Sequence, residues 1–471
     1  MNIENYHKSA LTIIKGLIVL FLPCLMLLYG CQKEFLEKKP NRAQLVPTRV
    51  SDFQAISDDV LFFHAPGIQE ISSDDFVISD LGLFTFPIYQ VNVYKWAPNA
   101  FAGQANVQDW SLPHSQIFTA NLILEGLDKI HDEERDSPEF NHTKGAALFN
   151  RAFAYYNLAQ LFIAPYNPAN ANSLPGIPLR LVSDLNANYP RGTVQQTYDQ
   201  IIKDLNAALP LLPDVVNYKN RPCKAAGLAL LARLYLSIND YEHAELYADQ
   251  ALKIKHDLLD YSAIKGNATS RLMPSALPNG NVEVILYRGT VNYAFPGVSS
   301  LATVIEPLYN SYGSSDLRKV LFFRDRGNGI FTWRGTYGGA VNPVMFNGLA
   351  VDELFLIRAE CAARRGNLTL ALSDLNTLLA TRFVKGFFQP YTGTDKEEVL
   401  SLVLLERRKE LIARGLRWTD LRRLNMDPRF VVSPKRTIAG TEYTLIPNSN
   451  RYTFPIPDNE IGDGGLIQNP Y

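Results

Sequence analysis

Apolar positions recur at helical spacing through most of this chain, and the blocks come in adjacent pairs. Structure is expected to begin near Ser51, where Ser51-Asp52 offers an N-cap and Phe53, Ile56, Val60 and Leu61 follow with a helical period. Residues 116–125 and 144–162 form the next pair, with small and large residues alternating along one face so that two antiparallel helices can interlock. Residues 193–212 and 224–238 form another. Ala232-Arg233-Leu234-Tyr235-Leu236, a short Asn239-Asp240 turn, and then Tyr241, Ala244, Ala248 and Ala251-Leu252 follow the spacing of a tetratricopeptide repeat. Residues 351–382 repeat that theme through Glu353-Leu354, Ile357 to Glu360, Gly366-Asn367, Ala371-Leu372 and Leu375-Asn376. Paired helices are therefore expected near 115–162, 194–238, 223–254 and 351–382.

Two stretches break the period. Residues 62–112 and about 256–348 are rich in Phe, Tyr, Trp, Gly, Pro and Asn, and read as long loops with short strands, among them Tyr287 to Thr290, Leu321 to Arg324 and Phe331 to Arg334. The expected fold is mainly α: a tetratricopeptide-like helical-repeat scaffold, about 113–255 and 349–425, carrying an irregular lobe of loops and short strands. Loops held on a rigid frame are where binding residues usually sit.

The start of the chain reads differently. Lys8 and Lys15 precede an apolar run, 16–30, that is short and broken by Pro23, and Gly30-Cys31 then meets a charged stretch. A small residue before a cysteine at such a junction suits lipoprotein processing, so 1–30 is read as a signal peptide and Cys31 as the lipidated residue. Residues 31–50, with Pro40 and Pro47, form an extended leader to a single domain at 51–471.

Charge and composition narrow the function. Lys plus Arg number 46 against 47 for Asp plus Glu, so no long-range field favours nucleic acid. Cys223 and Cys361 stand alone in apolar helical patterns and read as small buried hydrophobes, with a disulfide between them left open. The 23 Tyr and 25 Phe suit sugars, because a ring face stacks on the apolar face of a pyranose while a phenol reaches a hydroxyl. No nucleophile elbow, phosphate-binding loop or paired-histidine zinc motif occurs, and no cofactor is expected. Asp458-Asn459-Glu460 with Asp463-Gly464-Gly465 reads as a turn rather than a calcium loop. The segment from Glu406 to Arg423 reads as an ion-pair network rather than a catalytic site. Thr394 with Glu397, or Asp395 with Glu398, can cap its helix, Gly415 can end it, and Arg407, Arg417 and Arg422 can pair with Glu406 and Glu410.

In order along the chain, the lipid cysteine followed by Phe35 to Pro40, the helix from Ala146 to Phe162, the Tyr198-x-x-Ile-Ile-x-Asp204-Leu205 cadence, the segment Glu406 to Arg423 and the ending Phe454-Pro455-Ile456-Pro457 through Gln468-Asn469-Pro470-Tyr471 resemble the SusD/RagB family of outer-membrane nutrient-binding lipoproteins of Bacteroidetes. That resemblance implies a lipid-anchored, non-catalytic cell-surface protein that binds a glycan or oligosaccharide and delivers it to a SusC-like, TonB-dependent outer-membrane transporter. The alternatives are a helical-repeat adaptor for a peptide or protein, and a glycoside hydrolase. If the ligand is a glycan, Trp96, Trp333, Tyr94, Tyr89 and Tyr337 are the expected exposed platform, with Arg334 and Asn92 binding hydroxyls and Trp110 and Tyr312 next in line.

Overall fold

Five of the scaffold helices start where a side chain accepts from one of their unpaired N–H groups. The computed structural model describes residues 47–470 except 105, 136, 267–271, 279, 294–300, 340–343 and 463–464, and Arg49–Tyr471 form one compact unit. The signal-peptide and Cys31 readings, and part of the Asp463 turn, lie outside the described residues. The scaffold helices are α1 (Val50–Ser57), α2 (Gln108–Leu127), α3 (Pro138–Phe162), α4 (Val194–Ala208), α5 (Lys224–Ser237), α6 (Tyr241–Ile254), α7 (Val351–Arg364), α8 (Leu368–Ala380), α9 (Lys396–Glu410) and α10 (Arg417–Leu424). Ser137 caps α3 by accepting from the Phe140 N–H at 3.0 Å, with Pro138 in the first turn. Thr193 and Gln196 close a reciprocal capping box on α4. Asp395, rather than Thr394, caps α9 by accepting from the Glu398 N–H at 2.8 Å.

The two tetratricopeptide-like pairs share one turn design. Asn239 adopts a left-handed φ of 60° before α6 and Gly366 one of 85° before α8. The next residue, Asp240 or Asn367, then caps the second helix from its side chain at 3.1 Å. Ala244, Ala248 and Ala251 of α6 are fully buried, so its backbone lies close to its neighbours. Although some hundred residues separate them in sequence, α6 packs directly on α7. Arg358 of α7 donates to Asp249 of α6 and grips Asp374 of α8 with two bonds of 2.8 Å. The segment between the pairs is thus looped out of a continuous helical stack.

Two sequence expectations are corrected here. Helix α1 begins at Val50, because the Arg49 N–H donates to Asp52 at 3.0 Å. Residues 62–112 contain short helices at Ile68–Ser72, Asp80–Thr85 and Ile88–Tyr94, each too brief to show a period. Helix α2 starts at Gln108 and runs through Pro113, which lies inside the helix and removes the backbone bond to the Asp109 carbonyl. The lobe's strands pair two by two. His64–Ala65 runs parallel to Gly289–Thr290, and Phe76–Ile78 runs antiparallel to Ala302–Val304, so the two irregular segments are stitched to each other.

Lobe and scaffold are joined by buried charge. Arg318 of the lobe meets Asp316, Glu406 and Glu410 at 2.7, 2.6 and 3.1 Å, and Arg382 meets Glu283 and Glu410 at 2.6 and 2.8 Å. A network pins the last helices, with partners other than those expected: Arg407 holds Asp420, Arg417 holds Asp74, and Arg422 donates to the Ile163 carbonyl. Gly415 takes a left-handed φ of 73°, beyond the end of α9 at Glu410. The C-terminal motif closes the molecule. The Phe454 N–H donates to Leu161 O, and Asn469 Nδ2 donates to Phe162 O and Phe454 O, which satisfies carbonyls at the end of α3.

Candidate functional site

The rings expected to form an exposed platform are largely interior. Trp96 and Trp333 are 4% exposed, Tyr94 2% and Tyr337 1%, which corrects the platform reading. Their polar atoms explain most of the burial. Trp96 Nε1 donates to Ser72 O at 2.9 Å, Tyr94 Oη accepts from the Ile78 N–H at 3.1 Å, and the Arg436 guanidinium lies over both rings. Tyr337 donates between Glu283 and Asp352, both at 3.0 Å, with Arg414 over its face. Trp333 packs on Phe322 and Phe323, and Arg334 donates to the Val320 carbonyl. Tyr89 and Asn92 are half-buried, Tyr89 leaning on Tyr293 with ring centres 6.4 Å apart. Tyr312 is buried and donates to Lys409 O at 2.7 Å. Aromatic content among Gly, Asn and Pro signalled local mini-cores here: Trp96, Tyr94, Tyr337 and Tyr312 find internal partners for their polar ends, and Trp333 is held by ring packing alone, its Nε1 without a hydrogen bond among the described residues.

An open cleft of about 480 Å³ lies elsewhere, where the N-terminal half of α2 faces the loop leading to α4. Trp110 and His114 form one wall, Arg180, Asn188 and Tyr189 the facing loop, and Glu460 a third side. The loop is held by a relay that begins in the helix core. Arg151 of α3 grips Asp204 of α4 with bonds of 2.8 and 2.7 Å and donates to Asn121 Oδ1 of α2 at 2.8 Å. Asn121 Nδ2 in turn donates to the carbonyls of Arg180 and Val182, and Tyr155 donates to Arg180 O at 2.7 Å. Further along, Ser183 donates twice to Glu125 of α2. The Arg180 carbonyl is therefore fixed from two helices, α2 and α3, while its side chain lines the cleft.

The cleft holds polar groups without partners. His114 Nε2 and the Tyr189 hydroxyl are enclosed and make no hydrogen bond among the described residues. Burial, with the Arg180 charge second, pushes the His114 imidazole down to about 3, so the ring is neutral at physiological pH. It lies against Trp110, ring centres 4.5 Å apart, and Trp110 meets Phe162 edge-on at 5.0 Å. Arg180 sits 5.1 Å from the Tyr189 ring centre. Tyr189 also borders a second opening of about 520 Å³, lined by Arg191, Asp199 and Lys203.

Other unusual groups are sealed. Burial, followed by nearby Asp75, pushes Glu70 up to about 8, and burial pushes Asp109 up to about 6. Both are buried, Glu70 accepting from the Gly415 N–H and Asp109 from the Gly67 and Ile68 N–H groups. Cys223 and Cys361 are free thiols, both buried. Among the described residues no cluster of His, Cys, Asp or Glu could hold a metal ion.

Residues 163–192 were missed in the sequence reading, although Asn167-Pro168, Asn186, Asn188 and Pro190 carry the composition used to single out the other two irregular segments.

The fold and the cleft define a helical-repeat protein whose rigid stack presents a loop-walled opening. Residues 34–236 match the family described as starch-binding and associating with the outer membrane, and residues 352–471 match the SusD family. SusD-like protein P2 of Formosa agariphila is 31% identical over 415 residues, covering 75% of this chain and 77% of that protein. The chain belongs to the SusD/RagB family. A SusD superfamily structure from Bacteroides vulgatus is similar with a TM-score of 0.70 at 23% identity, over 90% of this chain and 99% of that one. A laminarin-binding SusD-like protein is similar with a TM-score of 0.59 at 18% identity, over 90% and 100%.

Proposed function

We propose that this chain is a cell-surface lipoprotein that captures an oligosaccharide and hands it to a TonB-dependent outer-membrane transporter, without catalysis. The cleft between α2 and the 178–189 loop carries this reading: it is open, walled by rings and amides, and contains enclosed donors and acceptors with no internal partner. Sugar hydroxyls would complete them. Among the described residues lining the cleft, Glu460 is the single carboxylate, whereas glycoside hydrolysis ordinarily uses a pair. That supports binding over cleavage. Family membership supports the surface location and the transporter, and the Gly30-Cys31 junction supports the lipid anchor. Among the described residues no helix is long and apolar enough to cross a membrane.

Calorimetric titration of the purified chain with a panel of plant, algal and microbial oligosaccharides tests the reading. At least one should bind, and Tyr189→Ala should weaken that binding about ten-fold, equivalent to ~1.4 kcal/mol. No binding across the panel would refute capture of a glycan. In cells, Cys31→Ala should move the protein out of the membrane fraction. Retention there would overturn the lipid anchor.

A further inference from the structure

We infer that the cleft takes an acidic oligosaccharide, one bearing carboxylate or sulfate groups, with Arg180 as the residue that pairs with the anion. The inference rests on the glycan-binding reading above and names its substrate class. Its basis is the charge left unspent at the cleft in a protein whose buried arginines are matched by carboxylates or carbonyls.

Arg151, Arg233, Arg318, Arg382, Arg414 and Arg423 are buried, and each is matched to a carboxylate at 2.9 Å or less. Buried arginines without a carboxylate donate to carbonyls instead, as Arg422 does to Ile163 O and Arg288 to Tyr287 O. Arg180 does neither. Among the described residues its guanidinium makes no hydrogen bond and no ion pair, and its one ring contact is Tyr189. A half-buried guanidinium facing an open cavity, on a backbone fixed from two helices, is preorganised for a planar anion such as a carboxylate or a sulfate face.

The neighbouring groups agree. His114, neutral and with Nε2 unpartnered, adds no competing charge and offers a hydrogen bond beside Arg180. The Tyr189 hydroxyl, also unpartnered, lies on the same loop. Past Tyr189, the second opening holds Arg191 and Lys203, and neither forms an ion pair among the described residues; Arg191 donates to the carbonyls of Pro175, Gly176 and Ile467. The two carboxylates at these openings, Glu460 and Asp199, already accept amide hydrogen bonds from Asn459 and Gln195, at 3.0 and 2.8 Å. An oligosaccharide running past Tyr189 therefore meets a succession of cations, Arg180, Arg191 and Lys203, spaced along one loop and helix.

The test compares matched pairs of probes that differ only in charge. The first pair is an oligogalacturonate and its fully methyl-esterified form; the second is a sulfated galactan oligomer and its desulfated form. Each is titrated into the full chain at about 50 and 200 mM salt. At least one charged probe should bind roughly ten-fold tighter than its neutral partner, and the preference should shrink at the higher salt. Arg180→Gln should abolish the preference, Arg180→Lys should retain part of it, and Lys203→Gln, on an exposed helix face, should reduce it without risk to the fold. Which pair shows the preference distinguishes carboxylate from sulfate. If neutral and charged forms bind equally, or if Arg180→Gln with an unchanged circular dichroism melt keeps the preference, the inference fails while glycan capture stands. If no probe and no glycan of the wider panel binds, both fail.

Discussion

At the scale of single residues, burial decides what each polar group does. Glu70 shows this most clearly: its carboxyl is raised from an ordinary 4.5 to about 8, first by burial and then by Asp75, while the Gly415 N–H pulls it back. The native state holds a proton that the unfolded chain releases, so this group's contribution is present below about 4.5 and lost as pH rises toward about 8. Glu70→Gln keeps an oxygen for Gly415 and removes the titration. Its stability relative to wild type should grow with pH through that window, by up to ~1.4 kcal/mol per unit. Urea denaturation at pH 5, 6, 7 and 8 measures it, and a difference that stays constant would refute the assignment. Arg151 makes a second case. Truncating it to Ala leaves Asp204 buried and unpaired, at a cost of about 3–5 kcal/mol. Asn121 also loses the bond that orients it toward the Arg180 carbonyl, so binding at the cleft should weaken even where the variant remains folded.

Among elements, close approach is set by small residues. Gly126 of α2 faces Phe53 of α1, and a Cβ there would fall 2.1 Å from the Phe53 ring. Gly126→Ala should therefore push α1 off α2 and cost about 1–3 kcal/mol by overpacking. Guanidinium melts check the magnitude, and hydrogen exchange should show the loss confined to α1 and its neighbours. The repeat pairs were legible because alanine spacing and the Asn-Asp and Gly-Asn turns are local signals. The short helices at Ile68–Ser72 and Ile88–Tyr94 were not, since five to seven residues carry too few apolar positions to define a period.

Across the whole molecule, buried ion pairs replace a continuous sheet as the link between lobe and scaffold. Glu410 sits at the centre, reached by Arg318 from one side and Arg382 from the other. Glu410→Ala removes one carboxylate from each of two buried guanidinium groups, leaving Arg318 with Asp316 and Glu406 and Arg382 with Glu283, and should cost about 1–3 kcal/mol. Hydrogen exchange should then rise at Val284–Leu286 and Arg318–Phe322 before it rises in α5 and α6. Uniform change across the chain would mean that lobe and scaffold open as one unit.

The sequence alone determined the helical pairs and the family, because each depends on residues close together in the chain or on motifs in a set order. It also showed that the acidic and basic residues between Glu406 and Arg423 serve structure. Only the tertiary structure decided which partners they take, since Asp74, Asp316 and Arg382 arrive from distant segments. It likewise decided that Trp96 and Trp333 are interior and that the cleft forms beside Trp110. A ring among glycines and asparagines looks the same in sequence whether its edge meets solvent or a backbone carbonyl. Arg180 stands apart for the same reason: a cation with no ion pair among the described residues is visible only in the tertiary structure, because its candidate partners lie in distant segments.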